Sequence, residues 1–272
     1  MAGVVLAAGA GSRLAPLSRR RPKALCPVAN RALLDLAIER VGSVVGAVAV
    51  NVHHGADAIL DHLHGADGPT SRVHASHERE EALGTAGALG ALRDWLDGRS
   101  VVVVNADTWA PGSLASALAS WDGERPRVLV HGSDRFGPRS EIAGCLLPWS
   151  EVEPLAAEPT GLYETVWRRA AAEGRLDVVR HDGPFVDCGN PADYLRANLE
   201  AAASAGGSVI DPGAEVDGPV TGRCVVGAGA RVTGPIEESV VWPGVRLADD
   251  RPLVRSVAAA PDLIVGPLPP VG

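Results

Sequence analysis

Lysine is almost absent from this sequence. Among its 272 residues, 25 are lysine or arginine, and Lys23 is the single lysine. An ammonium group is compact and mobile whereas a guanidinium group is a rigid planar fork, so the two cations are not interchangeable beside a phosphate. The lone lysine therefore raises the question whether a compact ammonium is needed at position 23. The alternative is a coding sequence that favours arginine wherever either cation would serve.

Paired cysteine motifs and long apolar runs are missing too. The four cysteines, Cys26, Cys145, Cys188 and Cys224, have no C-x-x-C spacing, so we expect a reduced cytoplasmic chain with neither a disulfide framework nor a zinc site. The apolar run at residues 4–10 is too short to span a membrane and has no positive residue ahead of it, so we expect no membrane anchor and no signal peptide.

Acidic residues are absent from the first 34 positions. That segment carries six positive charges, on Arg13, Arg19, Arg20, Arg21, Lys23 and Arg31, in a chain whose net charge is −8. Overall acidity argues against nucleic acid or a membrane surface as a partner, whereas a local basic cluster suits a small anionic ligand.

Strand and helix patterns alternate over the first two hundred residues. A short apolar run at 3–8 ends in Gly9-Ala-Gly11, and apolar residues at helical spacing follow over 31–45. Further strands are predicted at 46–52, 72–75 and 101–104, and further helices at 57–63, 86–96 and 191–204, the last with Asn190 as N-cap. The pattern predicts an α/β fold with a Rossmann-like, mostly parallel sheet flanked by helices and with ligand sites at the carboxyl ends of its strands.

The composition changes near residue 206, after which glycine and proline are frequent. Aliphatic residues recur six positions apart in the pairs Ile210 and Val216, Val226 and Val232, Leu247 and Leu253, and Val257 and Leu263. This spacing predicts a short C-terminal left-handed β-helix of hexapeptide coils, with a disordered tail as the alternative. We place the domain boundary between Ala205 and Gly206, giving a catalytic domain at 1–205 and a structural β-helix at 206–272.

The strongest motif is a glycine-rich, basic loop after the first strand. It reads Gly9-Ala-Gly-Ser-Arg-Leu-Ala-Pro-Leu-Ser-Arg-Arg-Arg-Pro-Lys-Ala-Leu-Cys-Pro-Val28. Glycines let backbone N–H groups approach a polyphosphate, Arg13 can bind phosphate oxygens in a bidentate manner, and Pro22 stiffens the approach to Lys23.

This loop resembles the opening motif of the sugar-1-phosphate nucleotidyltransferases and matches it without a gap. The resemblance continues in Glu81-Ala-Leu-Gly-Thr-Ala-Gly87, Asn105-Ala-Asp107, Val186-Asp-Cys-Gly-Asn-Pro-Ala-Asp-Tyr194 and Val241-Trp-Pro-Gly244. It implies an Mg²⁺-dependent enzyme that joins an NTP and a sugar-1-phosphate into an NDP-sugar, releasing pyrophosphate. The sequence around Gly84 is most similar to that of mannose-1-phosphate guanylyltransferases, which implies GTP and mannose-1-phosphate as substrates.

The resemblance also implies roles for particular residues. Carried over position by position, it assigns catalysis to Arg13, Lys23 and Asp107; nucleotide binding to Ala8, Gly9, Ala10, Gly11, Ser12, Arg13, Arg79, Gly84 and Thr85; sugar binding to Gly144 and Glu164; and Mg²⁺ to Asp107 and Asp187.

Three departures from the family pattern leave the substrate open. Arg79 stands where relatives usually have Gln or Glu, and arginine can only donate hydrogen bonds to a base. Ile142 replaces an asparagine of the sugar-binding strand, and a second lysine that many relatives aim at the sugar phosphate cannot exist in a chain with one lysine. Uridylyl, thymidylyl or adenylyl transfer to a glucose, amino-sugar, heptose or cyclitol phosphate stays possible.

Other classes of function compete with this interpretation. A dinucleotide-binding fold lacks its third glycine and its ribose-binding carboxylate, since the second strand ends in Asn51. An acyltransferase tail would need a histidine base, yet the last histidine is His181, before the tail. A non-catalytic NDP-sugar sensor would not need both aspartates. We interpret the six histidines between residues 53 and 77 as surface residues rather than metal ligands, and we expect a homo-oligomer, a dimer or higher.

Overall fold

A computed structural model describes residues 1–65, 73–248 and 251–270. The chain divides into two compact units, one made of Met1–Ala10 with Leu34–Phe185 and the other of Gly11–Leu33 with Val186–Gly272. The predicted boundary between Ala205 and Gly206 falls inside the second unit, and it stays a prediction about where the coils begin.

Within the residues that the structure describes, the first unit contains a seven-stranded sheet. In spatial order its strands are Asp177–His181, Arg127–His131, Ile142–Leu147, Val101–Asn105, Ala2–Leu6, Val48–Val52 and His74–His77. Among the described strand pairs of this sheet, only the two that involve Ile142–Leu147 are antiparallel. That strand follows Arg127–His131 without an intervening helix, so the chain returns in the opposite direction. The predicted mostly parallel α/β sheet is confirmed.

Helices connect the parallel strands. They are Leu33–Gly42, Ala56–Gly65, Gly84–Ala91, Arg93–Leu96, Ala115–Ala119, Trp149–Val152, Tyr163–Trp167 (a π-helical turn) and Arg168–Ala172, and a two-residue strand lies at Thr108–Trp109. The single helix predicted at 86–96 is two helices, because Leu92 leaves helical geometry with ψ at 0°. The strand predicted at 72–75 lies at His74–His77, and Arg72 lies outside the described residues.

The core of the first unit surrounds the central strands. Val4, Ala49 and Val101 are fully buried, as the run of four valines predicts for a strand covered on both faces. Leu89, Leu92 and Leu96 from the helical segment after Gly84 pack into the same cluster. The sheet is therefore a rigid platform whose strand ends carry the loops described below.

The second unit begins with the basic loop, defined here as residues 11–33. Its short elements are the 3₁₀ turns Ser12–Leu14 and Lys23–Leu25, the helical turn Leu17–Arg20 and the antiparallel strands Pro27–Val28 and Arg31–Ala32. The strand Val186–Asp187 and the helix Pro191–Ser204 follow later in the chain. The Asn190 side chain accepts hydrogen bonds from the N–H groups of Ala192 and Asp193, which confirms the predicted N-cap.

The C-terminal coil, defined here as residues 209–265, passes through three short parallel sheets in turn. The sheets contain Val209–Ile210, Val225–Val226, Val240–Val241, Val257–Ala260 and Leu263–Val265 in the first; Glu215–Val216, Arg231–Val232 and Arg246–Leu247 in the second; and Val220–Thr221, Ile236–Glu237 and Leu253–Val254 in the third. All neighbouring strands are parallel except the last described pair, in which Leu263–Val265 returns antiparallel. Three of the four predicted pairs lie on successive sides of the coil, and both members of the pair Val226 and Val232 are buried. Ile210 is exposed, and Val257 and Leu263 lie on antiparallel strands of one sheet rather than on successive sides. The left-handed β-helix stays a prediction.

Candidate functional site

Lys23 and Asp187 form an ion pair in the second unit, although 164 residues separate them in sequence. The Nζ atom of Lys23 lies 3.2 Å from Oδ1 of Asp187, and Nη2 of Arg13 lies 3.7 Å from the other carboxylate oxygen. Only 7% of the Lys23 side chain is exposed, against 44% for Asp187 and 76% for Arg13. The structure therefore brings together three residues that the sequence assigned from two separate motifs. One buried cation and one solvent-facing cation lie beside the same carboxylate.

Two glycines make this cluster possible. Gly11 has a φ of +60°, and a Cβ added there would lie 2.8 Å from Cβ of Lys23. A Cβ on Gly189 would lie 3.2 Å from Nη2 of Arg13 and 3.2 Å from Oδ2 of Asp187. A side chain at Gly11 would therefore clash with the stem of Lys23 and would be strained at this positive φ, whereas one at Gly189 would displace the Arg13 and Asp187 side chains slightly.

The end of the first strand is held by a buried polar chain that the sequence reasoning missed. Ala7 donates its N–H to Oδ1 of Asn51 at 2.9 Å, and the Asn51 amide donates to Oε1 of Glu78 at 2.7 Å. The other Glu78 oxygen accepts from the N–H of Leu83 at 2.8 Å. Asn51 and Glu78 are 2% and 5% exposed, so this chain connects the start of the glycine loop to the segment before Gly84.

In the segment 78–85, which includes three predicted nucleotide-binding residues, Glu78 is held by hydrogen bonds and Arg79 is exposed. Both carboxylate oxygens of Glu78 are occupied by the chain above, whereas Arg79 is exposed. Gly84 is exposed at the start of its helix, and Thr85 accepts a 2.7 Å hydrogen bond from the N–H of Leu162. Arg79 and Gly84 are thus accessible to a ligand, and the Thr85 side chain also has a structural partner.

The glycines of the helix Gly84–Ala91 let another segment pass against it. A Cβ on Gly84 would lie 2.6 Å from the carbonyl oxygen of Thr160, and one on Gly87 would lie 2.1 Å from that of Glu158. Gly90 repeats the contact with Ala156 at 2.3 Å. The Gly-x-x-Gly-x-x-Gly spacing therefore creates one side-chain-free helix face, and the following segment packs on it.

Of the remaining predicted residues, Ser12 is exposed in the second unit and the others lie in the first unit. Ala8 is buried while Gly9 and Ala10 are exposed, which leaves the loop backbone open to solvent. Asp107 follows the strand Val101–Asn105 and is half-buried.

The two predicted sugar-binding residues differ in exposure. Gly144 is buried within Ile142–Leu147, and the exposed Glu164 side chain folds over Gly161, where an added Cβ would lie 2.2 Å from its Oε2 atom. Glu164 is therefore accessible to a ligand, whereas Gly144 shows only strand packing, with an added Cβ 3.4 Å from the carbonyl oxygen of Val103.

Two of the clustered histidines contact the backbone near these loops. Nδ1 of His53 lies 2.6 Å from the carbonyl oxygen of Glu78, and Nδ1 of His54 lies 3.0 Å from that of Ala8. The described residues contain no group of three or more His, Cys, Asp or Glu side chains that could hold a metal. Among the same residues, no helix is both long enough and apolar enough to cross a membrane.

The profile of the family described as Nucleotidyl transferase matches residues 2–131. An N-acetylmuramate alpha-1-phosphate uridylyltransferase from Caulobacter vibrioides is 33% identical over 232 residues, which cover 73% of this chain and 96% of that protein. The chain belongs to the sugar-1-phosphate nucleotidyltransferase family.

Other members of this nucleotidyltransferase family are more distant. A probable mannose-1-phosphate guanylyltransferase from Oryza sativa is 25% identical over 81% of this chain and 71% of its own length. A solved structure from Bacillus anthracis, assigned as a glucose-1-phosphate thymidylyltransferase, superposes on this protein with a TM-score of 0.60. The match covers 74% of this chain and 95% of that chain at 19% sequence identity, which shows a shared fold.

Proposed function

We propose that this protein transfers a nucleotidyl group from an NTP to a sugar-1-phosphate, with release of pyrophosphate. The observation that carries the proposal is the buried Lys23 ammonium paired with Asp187 and flanked by Arg13. A non-catalytic nucleotide sensor would need to bind phosphates but would not need a buried cation beside a carboxylate.

The reaction is written as an in-line displacement at the α-phosphorus. A phosphate oxygen of the sugar-1-phosphate forms the new P–O bond, the bond to the β-phosphate oxygen breaks, and pyrophosphate carries away the electron pair. The attacking oxygen is already ionised, so no covalent nucleophile or strong base is needed, and catalysis is positioning and charge stabilisation.

Each residue of the loop has a part in that scheme. Backbone N–H groups around Gly9 and Gly11 bind phosphate oxygens, and the exposed Arg13 side chain binds the departing pyrophosphate. Lys23 is held in place by Asp187 and stabilises the charge that develops at the α-phosphate. Its burial keeps water from screening that interaction.

Mg²⁺ is the proposed metal, and the donor chemistry of two residues fits it. Asp187 is 44% exposed and Asp107 is half-buried at a strand end, so each offers carboxylate oxygen to a hard cation. Mg²⁺ binds through one or two carboxylates, water and substrate phosphates, which agrees with the lack of a larger ligand cluster in the described residues. When bound, the ion neutralises negative charge on the phosphates.

Two substrate pairs stand ahead of the others. The relative at 33% identity is aligned over 96% of its length, which favours UTP with N-acetylmuramate α-1-phosphate. The motif Leu83-Gly-Thr-Ala-Gly87 favours GTP with mannose-1-phosphate, and relatives at 25% identity support that pair more weakly. We test the first pair first because its supporting alignment has the higher identity.

The experiment is a matrix of four NTPs against several sugar-1-phosphates with Mg²⁺, read by pyrophosphate release. We expect turnover with one pair to exceed turnover with mismatched pairs by at least tenfold. If no pair releases pyrophosphate but the protein binds an NTP or an NDP-sugar, the proposed enzymatic activity is refuted in favour of a non-catalytic sensor.

A further inference from the structure

The tip of the basic loop adopts a conformation that its own residues do not favour. The strands Pro27–Val28 and Arg31–Ala32 are joined by Ala29 and Asn30, whose φ angles are +47° and +65°. A two-residue hairpin with both φ angles positive prefers Asn-Gly or Gly-Gly, and alanine is disfavoured in this region because its Cβ crowds the carbonyl oxygen. The tip therefore depends on contacts from outside the hairpin.

Two amide side chains supply those contacts within the second unit. The N–H of Ala29 donates to Oδ1 of Asn198 at 3.1 Å, and Asn198, fully buried in the helix Pro191–Ser204, also donates to the carbonyl oxygen of Tyr194 at 3.0 Å. The Asn30 amide donates to the carbonyl oxygen of Val226 in the C-terminal coil at 2.8 Å. One side of the tip is thus bound to the helix and the other to the coil.

A second connection joins the coil to Pro27, two residues before the tip. The buried Tyr194 hydroxyl donates to the carbonyl oxygen of Pro27 and accepts from Nε1 of Trp242 at 3.0 Å. The two rings meet edge to face, with centroids 6.3 Å apart. Tyr194 and Trp242 are 0% and 2% exposed, so each polar atom of this chain depends on the next for its hydrogen bond.

Trp242 also contacts the loop on the other side of Lys23. The Arg21 guanidinium carbon lies 5.3 Å from the centre of the Trp242 ring, within the range of a cation–π contact. Arg21 is two residues before Lys23, and Pro27 is four residues after it. Trp242 therefore restrains the short segment that carries the buried ammonium directly at Arg21 and, through the Tyr194 hydroxyl, at Pro27.

We propose that the C-terminal coil positions the catalytic loop, with Trp242 and Tyr194 as positioning residues that set where the Lys23 ammonium lies. The proposal rests on the proposed function only for its kinetic consequence. It gives the coil a part in catalysis that the expectation of a structural tail did not include. A coil that acted only as a structural cap would stabilise the fold without fixing the geometry at Lys23.

The single lysine makes a direct structural test possible. Protein grown with lysine labelled with ¹³C at the ε-carbon yields one lysine signal in an NMR spectrum, because Lys23 is the only lysine in the chain. We expect Trp242→Phe and Tyr194→Phe to move the chemical shift of that signal. This measurement needs no substrate, so it decides the positioning even if no NTP and sugar-phosphate pair reacts.

A matched control separates positioning from loss of stability. Ser239 is fully buried in the same coil, where its hydroxyl donates to the carbonyl oxygen of Glu237 at 2.6 Å and accepts from the N–H of Ser256 at 3.0 Å. Ser239→Ala removes a buried hydroxyl whose hydrogen bonds lie within the coil. We expect it to lower the urea midpoint as Trp242→Phe does and to leave the Lys23 signal unchanged.

The kinetic test uses the best substrate pair from the matrix. We expect Trp242→Phe to lower kcat about tenfold or more with KM for the NTP changed less than threefold, since displaced catalytic groups lose more in the transition state than in the ground state. Ser239→Ala should stay within twofold of wild type. In a Lys23→Met background, Trp242→Phe should lower kcat by less than twofold, because the group through which it acts is gone.

An unmoved Lys23 signal in the Trp242 and Tyr194 variants, or an equal loss of kcat in Ser239→Ala, would overturn the positioning role. If Trp242→Phe does not fold, Asn30→Gly replaces it, because glycine tolerates the positive φ and only the hydrogen bond to Val226 is lost. A wild-type protein that releases no pyrophosphate would refute the proposed function and leave the NMR result standing.

Discussion

Replacing Lys23 by methionine tests the central chemical assignment with little structural disturbance. Methionine keeps an unbranched stem, so the tight contact between Gly11 and the Cβ of residue 23 is preserved while the charge is removed. Asp187 would keep Arg13 at 3.7 Å and is 44% exposed to water, so we expect the fold to tolerate the change. The variant therefore removes the ammonium and little else.

The expected loss follows from where the ammonium lies. At an effective dielectric constant of about 20, unit charges about 4 Å apart interact by about 4 kcal/mol, and the α-phosphate gains part of a charge in the transition state. Loss of one such positioned group typically costs about 2.7–4 kcal/mol, or roughly 10²–10³ in kcat. Lys23 is 7% exposed, so solvent screens this interaction little.

The assay is pyrophosphate release at saturating substrates, with circular dichroism and thermal unfolding to confirm folding. Arg20→Met is the matched control, since Arg20 is an exposed cation of the same basic loop and should leave kcat within twofold. A folded Lys23→Met enzyme with kcat within threefold of wild type would refute the assignment of Lys23 to the transition state.

Three further predictions concern other parts of the molecule. Asp107→Asn should raise the Mg²⁺ concentration for half-maximal activity at least tenfold. Its thermal midpoint should stay within about 2 °C of that of wild type. An unchanged Mg²⁺ requirement would exclude Asp107 as a ligand. Gly87→Ala should lower the free energy of unfolding by about 1–3 kcal/mol and the thermal midpoint by several degrees, because the new Cβ would lie 2.1 Å from the Glu158 carbonyl oxygen. In the control variant Gly42→Ala the new Cβ has open space around it, so the thermal midpoint should not fall. Burial raises the pKa of Cys26 to about 12, so its thiol is protonated at pH 8. Ellman's reagent should therefore label Cys26 only after unfolding. Rapid labelling of this thiol in the native protein would contradict its burial.

Parts of the fold were predictable because their signals are local. A run of four valines indicated the buried central strand, and Asn190 with Pro191 fixed the start of the long helix. The six-residue aliphatic spacing predicted short strands at regular corners, since each side of a coil needs one inward residue. The helix predicted at 86–96 was wrong in detail, because the interruption falls at Leu92, a residue type that favours helices.

Other features depended on pairing between distant segments. The direction of Ile142–Leu147 follows from its neighbours in the sheet, and no pattern within that strand indicates it. Asn51 argued against a dinucleotide site in the sequence, but its role in the buried chain to Glu78 became visible only with the fold. Periodicity gives the face of an element and carries no information on which segment it will meet.

The sequence alone determined the family motif, the basic loop and the importance of a single lysine, because those depend on residue chemistry and close spacing. Only the tertiary structure decided that this lysine is buried against Asp187, and that Trp242 restrains the loop on both sides of it. The physical reason is that an ammonium group is placed by contacts with residues more than 160 positions away, and such contacts exist only after the chain has folded.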